Sequence, residues 1–145
     1  MIRRVGEPVK RGQAYRHRPG AYAILLRGRD VLLTWQHGDD IGLQLPGGGI
    51  DPGEQPVAAL HREVFEETGW RIARPRRLGA FRRLNFMPDY GYWAEKVCHV
   101  YLAHPVRPHG PPREEGHTAL WMPLEVAAER LDERVGKGFV AALLR

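Results

Sequence analysis

Cysteine occurs once in the 145 residues, at Cys98. A disulfide within the chain is therefore excluded, and so is a zinc site built on paired cysteines. Cys98 lies in the apolar run VCHVYLA, where a small buried hydrophobe fits better than a nucleophile. Long hydrophobic runs are also missing, since none approaches the roughly 18 residues that a membrane-spanning helix needs. The N-terminal MIRRVGEPVKRGQAYRHRPG carries basic residues with no apolar segment behind them, so no secretory signal is expected. No membrane partner and a cytoplasmic address follow as expectations. Neither an internal repeat nor a low-complexity tract divides the chain.

What is present is the composition of an ordinary globular domain, 43% hydrophobic and 27% charged. The length suits one domain. We expect a basic leader over 1–19 and a single folded domain over 20–145. The net charge of +5 favours anionic partners, nucleotides or nucleic acid, although surplus arginine is equally a solvated surface. AYAILLR and VLLTWQ read as strands joined by the turn GRD, and GLQLPGG as a short strand broken by Pro46 and the glycines. A helix is predicted from about Gln55 to Thr68, stopped by Gly69. RRLGAFRRLNF and WAEKVCHVYLAHPV read as further strands around MPDYGY, TALWM as a short strand, and PLEVAAERL as a helix opened by Pro123. GFVAALLR reads as a last short helix. Strands before, between and after helices predict a mixed sheet covered by helices, α+β or α/β/α in layers.

The 55–68 helix concentrates charge. At about 100° per residue, Leu60, Val64, Val57 and Thr68 share one arc, extended by Phe65 and His61, which packs on the sheet. Glu63, Glu66 and Glu67 fall together on another arc, beside Ala59. Like charges at this spacing cost about 0.2–0.5 kcal/mol per pair even when exposed. Hard divalent cations offset such repulsion, since Mg²⁺ and Mn²⁺ prefer oxygen ligands. A solvated face paired with arginines is the bland alternative. The preceding GGIDPG has the glycine spacing of a phosphate-binding loop, but Glu54 stands where that motif needs lysine. Metal ions between carboxylates and phosphates would invert that local charge logic. Arg62 is placed to fold back onto Glu54.

Gly48, five residues, Glu54, seven residues, then Arg62-Glu63-Val64-Phe65-Glu66-Glu67-Thr68-Gly69-Trp70 resembles the Nudix box, G-x5-E-x7-R-E-U-x-E-E-x-G-U, at every fixed position. The hairpin before it and WMPLEVAAERL after it extend the resemblance over about 20–135. It implies a Nudix-type α/β/α sandwich with a mixed sheet, and hydrolysis of a nucleoside diphosphate linked to another group X. It also implies Mg²⁺, with Mn²⁺ substituting, held by Glu63, Glu66 and Glu67 and the Gly47 carbonyl. Arg62 and Glu54 would orient the loop. The general base would be a box glutamate, Glu63 or Glu66, or a later loop glutamate, for which Glu115 in PREEGHTALW is the candidate; Glu115 is also a candidate fourth ligand.

Candidates for substrate contact are Trp35 and Gln36, at a position where members acting on oxidised dGTP are expected to carry arginine, together with Arg82 and Arg83 of the basic run RIARPRRLGAFRRL. Asn85, Phe86 and Met87 replace the signatures expected of members acting on ADP-ribose or dinucleoside polyphosphates. The basic run suits phosphates or an RNA 5′ end, or else a solvated face. Competing readings are an RNA 5′-pyrophosphohydrolase and a non-catalytic nucleotide sensor. A homodimer is a family-level expectation.

Overall fold

The computed structural model describes residues 2–39 and 41–145. Its strands are β1 (Arg3–Arg4), β2 (Arg16–Arg27), β3 (Asp30–Gln36), β4 (Leu43–Gln44), β5 (Gly47–Gly49), β6 (Trp70–Met87), β7 (Tyr92–Pro108) and β8 (His117–Pro123). Its helices are α1 (Pro56–Thr68), α2 (Leu124–Arg130) and α3 (Lys137–Ala142), with a 3₁₀ turn over Glu133–Val135 before the last. The strands run β1-β6-β7-β2-β3-β4, with β5 added to β2 and β8 to β3. β6 and β7 form a long antiparallel hairpin, whereas β2 runs parallel to β7 from Arg16↔Ala94 to Leu25↔Ala103. Within the basic leader, Arg3 and Arg4 pair in parallel with Phe81 and Arg82, and Val5 packs on the core.

Alternation along the strands feeds two apolar layers. Ala21, Ala23 and Leu25 of β2 meet Leu60 and Val64 of α1 on one face. Ile24, with Val100 of β7, meets Leu124 of α2, Leu131 just beyond it and Val140 of α3 on the other. This is the mixed sheet between helices that the sequence predicts. Cys98 belongs to the second layer and is 2% exposed; burial pushes its thiol up to about 11, so it is a packing residue with little thiolate.

Two details differ from the sequence reading. Val57 does not join the apolar arc: the first turn of α1 is exposed throughout and burial begins at Ala59. The strand read as RRLGAFRRLNF starts earlier, at Trp70. It absorbs Pro75 through a break in register between Ala73 and Arg76, as a proline inside a sheet requires.

The feature that makes a site is a splay. β2 pairs with β3 only at Leu26↔Val31 and Arg27↔Asp30. Beyond that, β2 continues beside β7 and β5, while β3 continues beside β4 and β8. A cleft of about 540 Å³ is lined from both arms, by Arg18, Gly20 and Tyr22 of β2, Gln36 of β3 and Gln44 of β4.

Candidate active site

α1 carries the acidic wall of this cleft. Its C-terminal end is fixed by Gly69, whose φ of 77° is left-handed and whose N–H donates to the Phe65 carbonyl at 2.8 Å. The loop that follows β7 returns over this end: the N–H groups of Arg113 and Glu114 both donate to the Glu66 carbonyl at 2.9 Å. Helix termination thus delivers Glu114 to the carboxylates of α1. Glu63, Glu66 and Glu114 bring one oxygen each within 4.8 Å of one another, and so do Glu67, Glu114 and His117 with one ligand atom each.

The glycines of β5 permit close approach. A Cβ on Gly48 would lie 2.5 Å from the Glu63 carboxylate, and one on Gly47 would lie 2.2 Å from the Ala21 carbonyl oxygen. The Gly47 N–H donates to Glu67 Oε1 at 3.0 Å. Arg62 ties the loop to the helix. It donates to both oxygens of Glu54, at 2.9 and 2.8 Å, and to the Gly49 carbonyl, Glu63 and Glu66 at 3.1, 2.9 and 3.5 Å. That pairing and the Asp51 N–H hold the Glu54 carboxyl down at about 2.

The carboxylates nearer the core behave oppositely. Burial, with Glu114, Glu63 and Glu66 adding, pushes Glu67 up to about 9 against the Gly47 hydrogen bond. Burial also raises Glu63, although Arg62 opposes it. His117 faces the same point, its Nε2 3.8 Å from an oxygen of Glu67 and of Glu114. Its Nδ1 lies 3.0 Å from the buried Thr34 hydroxyl. Four carboxylates converge from a helix and a loop, and the one guanidinium that reaches them, Arg62, is shared among Glu54, Glu63 and Glu66; that surplus of negative charge fits a hard divalent cation, which would let Glu67 ionise.

Of the residues singled out in the sequence, the structure brings together Gly47, Glu54, Arg62, Glu63, Glu66 and Glu67. Glu115 is exposed and belongs to neither ligand group among the described residues; its neighbour Glu114 belongs to both. Gln36 and Arg83 line the cleft, whereas Trp35 and Arg82 do not. Adjacent strand residues point to opposite faces, so only one of each pair can enter. Arg82 sits 3.9 Å from Glu95, and Trp35 is 46% exposed and covers Gly42. His117 and Thr34 carry no sequence signal; they meet because β3 and β8 pair, with Gln36 opposite His117.

A helix-borne acidic cluster beside a glycine strand, opening into the cleft of a splayed mixed sheet, defines an α/β/α domain with a carboxylate-lined site. The NUDIX domain model matches residues 16–143, and the chain belongs to the Nudix hydrolase family. It is 35% identical to CMP-5′-(N-acetyl-N-hydroxy-3-aminopropyl)phosphonate hydrolase from Streptomyces rubellomurinus, over 78% of this chain and 55% of that protein. The chain spans about half the length of the curated relatives it matches. Among solved structures it is similar to the MutT NUDIX hydrolase from Burkholderia pseudomallei, at 28% identity and a TM-score of 0.60 over 76% of this chain and 85% of that one. The MutT protein from Bacillus halodurans shares the fold at a TM-score of 0.71 and 21% identity, covering 88% and 82% of the two chains. No helix among the described residues is long and apolar enough to cross a membrane.

Proposed function

We propose that this protein hydrolyses a pyrophosphate bond in a nucleoside diphosphate linked to a second group, with Mg²⁺ as cofactor and Mn²⁺ able to replace it. The observation that carries the reading is the convergence of Glu63, Glu67, Glu114 and His117, with Glu66 grouped beside Glu63 and Glu114, at one wall of a cleft whose other walls hold Arg18, Arg83 and Lys96. Glu63, Glu66, Glu67 and Glu114 would hold the metal. When bound, the metal would neutralise phosphate oxygens and make water a better nucleophile. Arg62 fixes the carboxylates in place and Glu54 fixes Arg62, so both are positioning residues. Phe86 and Trp93, edge to face at 5.6 Å and both lining the cleft, offer the aromatic surface that a base requires. Glu63 and Glu114, less buried than Glu67, are the candidates to take a proton from water.

The test is a hydrolysis screen over nucleoside triphosphates, nucleotide sugars, dinucleotides and triphosphorylated RNA, with Mg²⁺, Mn²⁺ or EDTA. Metal-dependent release of a nucleoside monophosphate is expected. Turnover that survives EDTA, or none on any substrate, overturns the reading.

A further inference from the structure

Three cations stand in one row across the floor of the cleft. Arg18 of β2 pairs with Lys96 of β7, and Lys96 pairs with Arg83 of β6, so the three are direct neighbours on adjacent strands. All three line the cleft and all are half-buried. Like charges directly opposite one another on a sheet are unfavourable. Among the described residues none of the three forms an ion pair with a carboxylate. Arg18 donates to the Tyr92 hydroxyl at 2.6 Å, which orients its guanidinium without neutralising it. Among the described residues, the acids that line the cleft apart from Glu63, Glu67 and Glu114 are Glu7, Asp39 and Asp89; one oxygen of Asp39 already accepts from the Ile41 N–H at 2.8 Å. Burial, with Arg83 and Arg18 adding, holds the Lys96 ammonium below its ordinary range, while Cys98 and Asp39 oppose the shift.

The row is also displaced from the acidic wall. β5 reaches Glu63 at Gly48, which pairs with Ala21 of β2. Arg18 lies three residues further along that strand, about 10 Å away at the usual rise. The cleft therefore has an acidic pole and a separate cationic pole. A metal-bound pyrophosphate at the first leaves the second for another anionic group of the same ligand.

We propose that Arg18, Lys96 and Arg83 form a subsite for a phosphoryl group other than the two whose bridge is cleaved, so that the preferred substrate is a nucleotide carrying an additional phosphate. The inference rests on the reading of the cleft as a nucleotide site, but its test does not need turnover. In metal-free protein with EDTA, titration of inorganic phosphate is followed by amide resonances. Saturable shifts are expected at Arg18, Arg83 and Lys96, and Lys96→Met should weaken the apparent affinity about tenfold. Two pairs of ligands, GTP with GDP and NADP⁺ with NAD⁺, then place the extra phosphate at the end of the chain or on a ribose. The pair whose richer member binds more tightly, with the difference lost in Lys96→Met, identifies the source. Phosphate shifts absent from the row, centred on another basic surface, or unchanged by Lys96→Met and by Arg83→Met overturn the proposal. Phosphate binding at the row in a protein without turnover would overturn the hydrolase reading and leave the anion subsite standing.

Discussion

Glu67 and Gly48 concentrate the site's chemistry into two contacts. Glu67→Gln keeps the shape and the Gly47 hydrogen bond but removes a charged ligand; turnover in Mg²⁺ is expected to fall more than about 100-fold, with the circular dichroism spectrum unchanged. Activity near that of the parent would remove Glu67 from the metal site. Gly48→Ala acts by geometry, because its Cβ would meet the Glu63 carboxylate at 2.5 Å. Displacing that carboxylate by about 1 Å is expected to lower kcat about 100-fold while the melting temperature changes little. Unaltered kcat would show that Glu63 has freedom to move aside. At this scale the box residues were legible because spacing on one helix fixes which side chains neighbour one another. Glu114 and His117 were not, because a loop's approach to a helix end depends on backbone hydrogen bonds to Glu66 that no local pattern encodes. Gln36 and Arg83 were found only together with Trp35 and Arg82, because the face a strand turns to the cleft is set by its partners.

The end of α1 is the element on which the ligand set depends. Gly69 closes the helix in a left-handed conformation, and a Cβ there would fall 2.1 Å from the Gly110 carbonyl oxygen. Gly69→Ala meets both penalties, backbone strain of roughly 1–3 kcal/mol and a clash with the loop that carries Glu114. A fall in stability of at least about 1 kcal/mol is expected by urea denaturation, with a loss of Mg²⁺ affinity as Glu114 withdraws. Unchanged metal affinity would mean that the loop can be displaced without cost to the site. The stop at Gly69 could be read from the sequence, as could the β2–β3 hairpin, because each is decided by local chemistry. The early start of β6 was not legible: pairing with β7 overrides the proline and arginines of residues 70–77, as Trp70↔Pro108 and Ile72↔Pro105 show. Val57 misled for a related reason, since helical periodicity does not say where the sheet beneath the helix ends.

Across the whole molecule, the cleft that the splay opens also holds a buried ionisable carboxyl, Glu67, and this ties stability to pH and metal. In the metal-free protein Glu67 is raised from 4.5 to about 9. The folded state therefore binds a proton that the unfolded state has already released. Its contribution to stability is fully present below about pH 4.5 and is lost as pH rises through about 9, at about 1.4 kcal/mol per pH unit in between. Thermal melts in EDTA at pH 5, 7 and 9 should show this decline in the parent protein relative to Glu67→Gln, which has no proton to lose. Metal binding requires the ionised carboxylate, so Mg²⁺ affinity should climb over the same interval and level off above it. Saturating Mg²⁺ at 100 times its dissociation constant should add about 2.7 kcal/mol at a given pH, largely offsetting the decline near neutrality. In Glu67→Gln the part of the pH slope that belongs to Glu67 and most of the Mg²⁺ increment should disappear together. Loss of one without the other would mean that the buried proton and the metal occupy different places in the cleft.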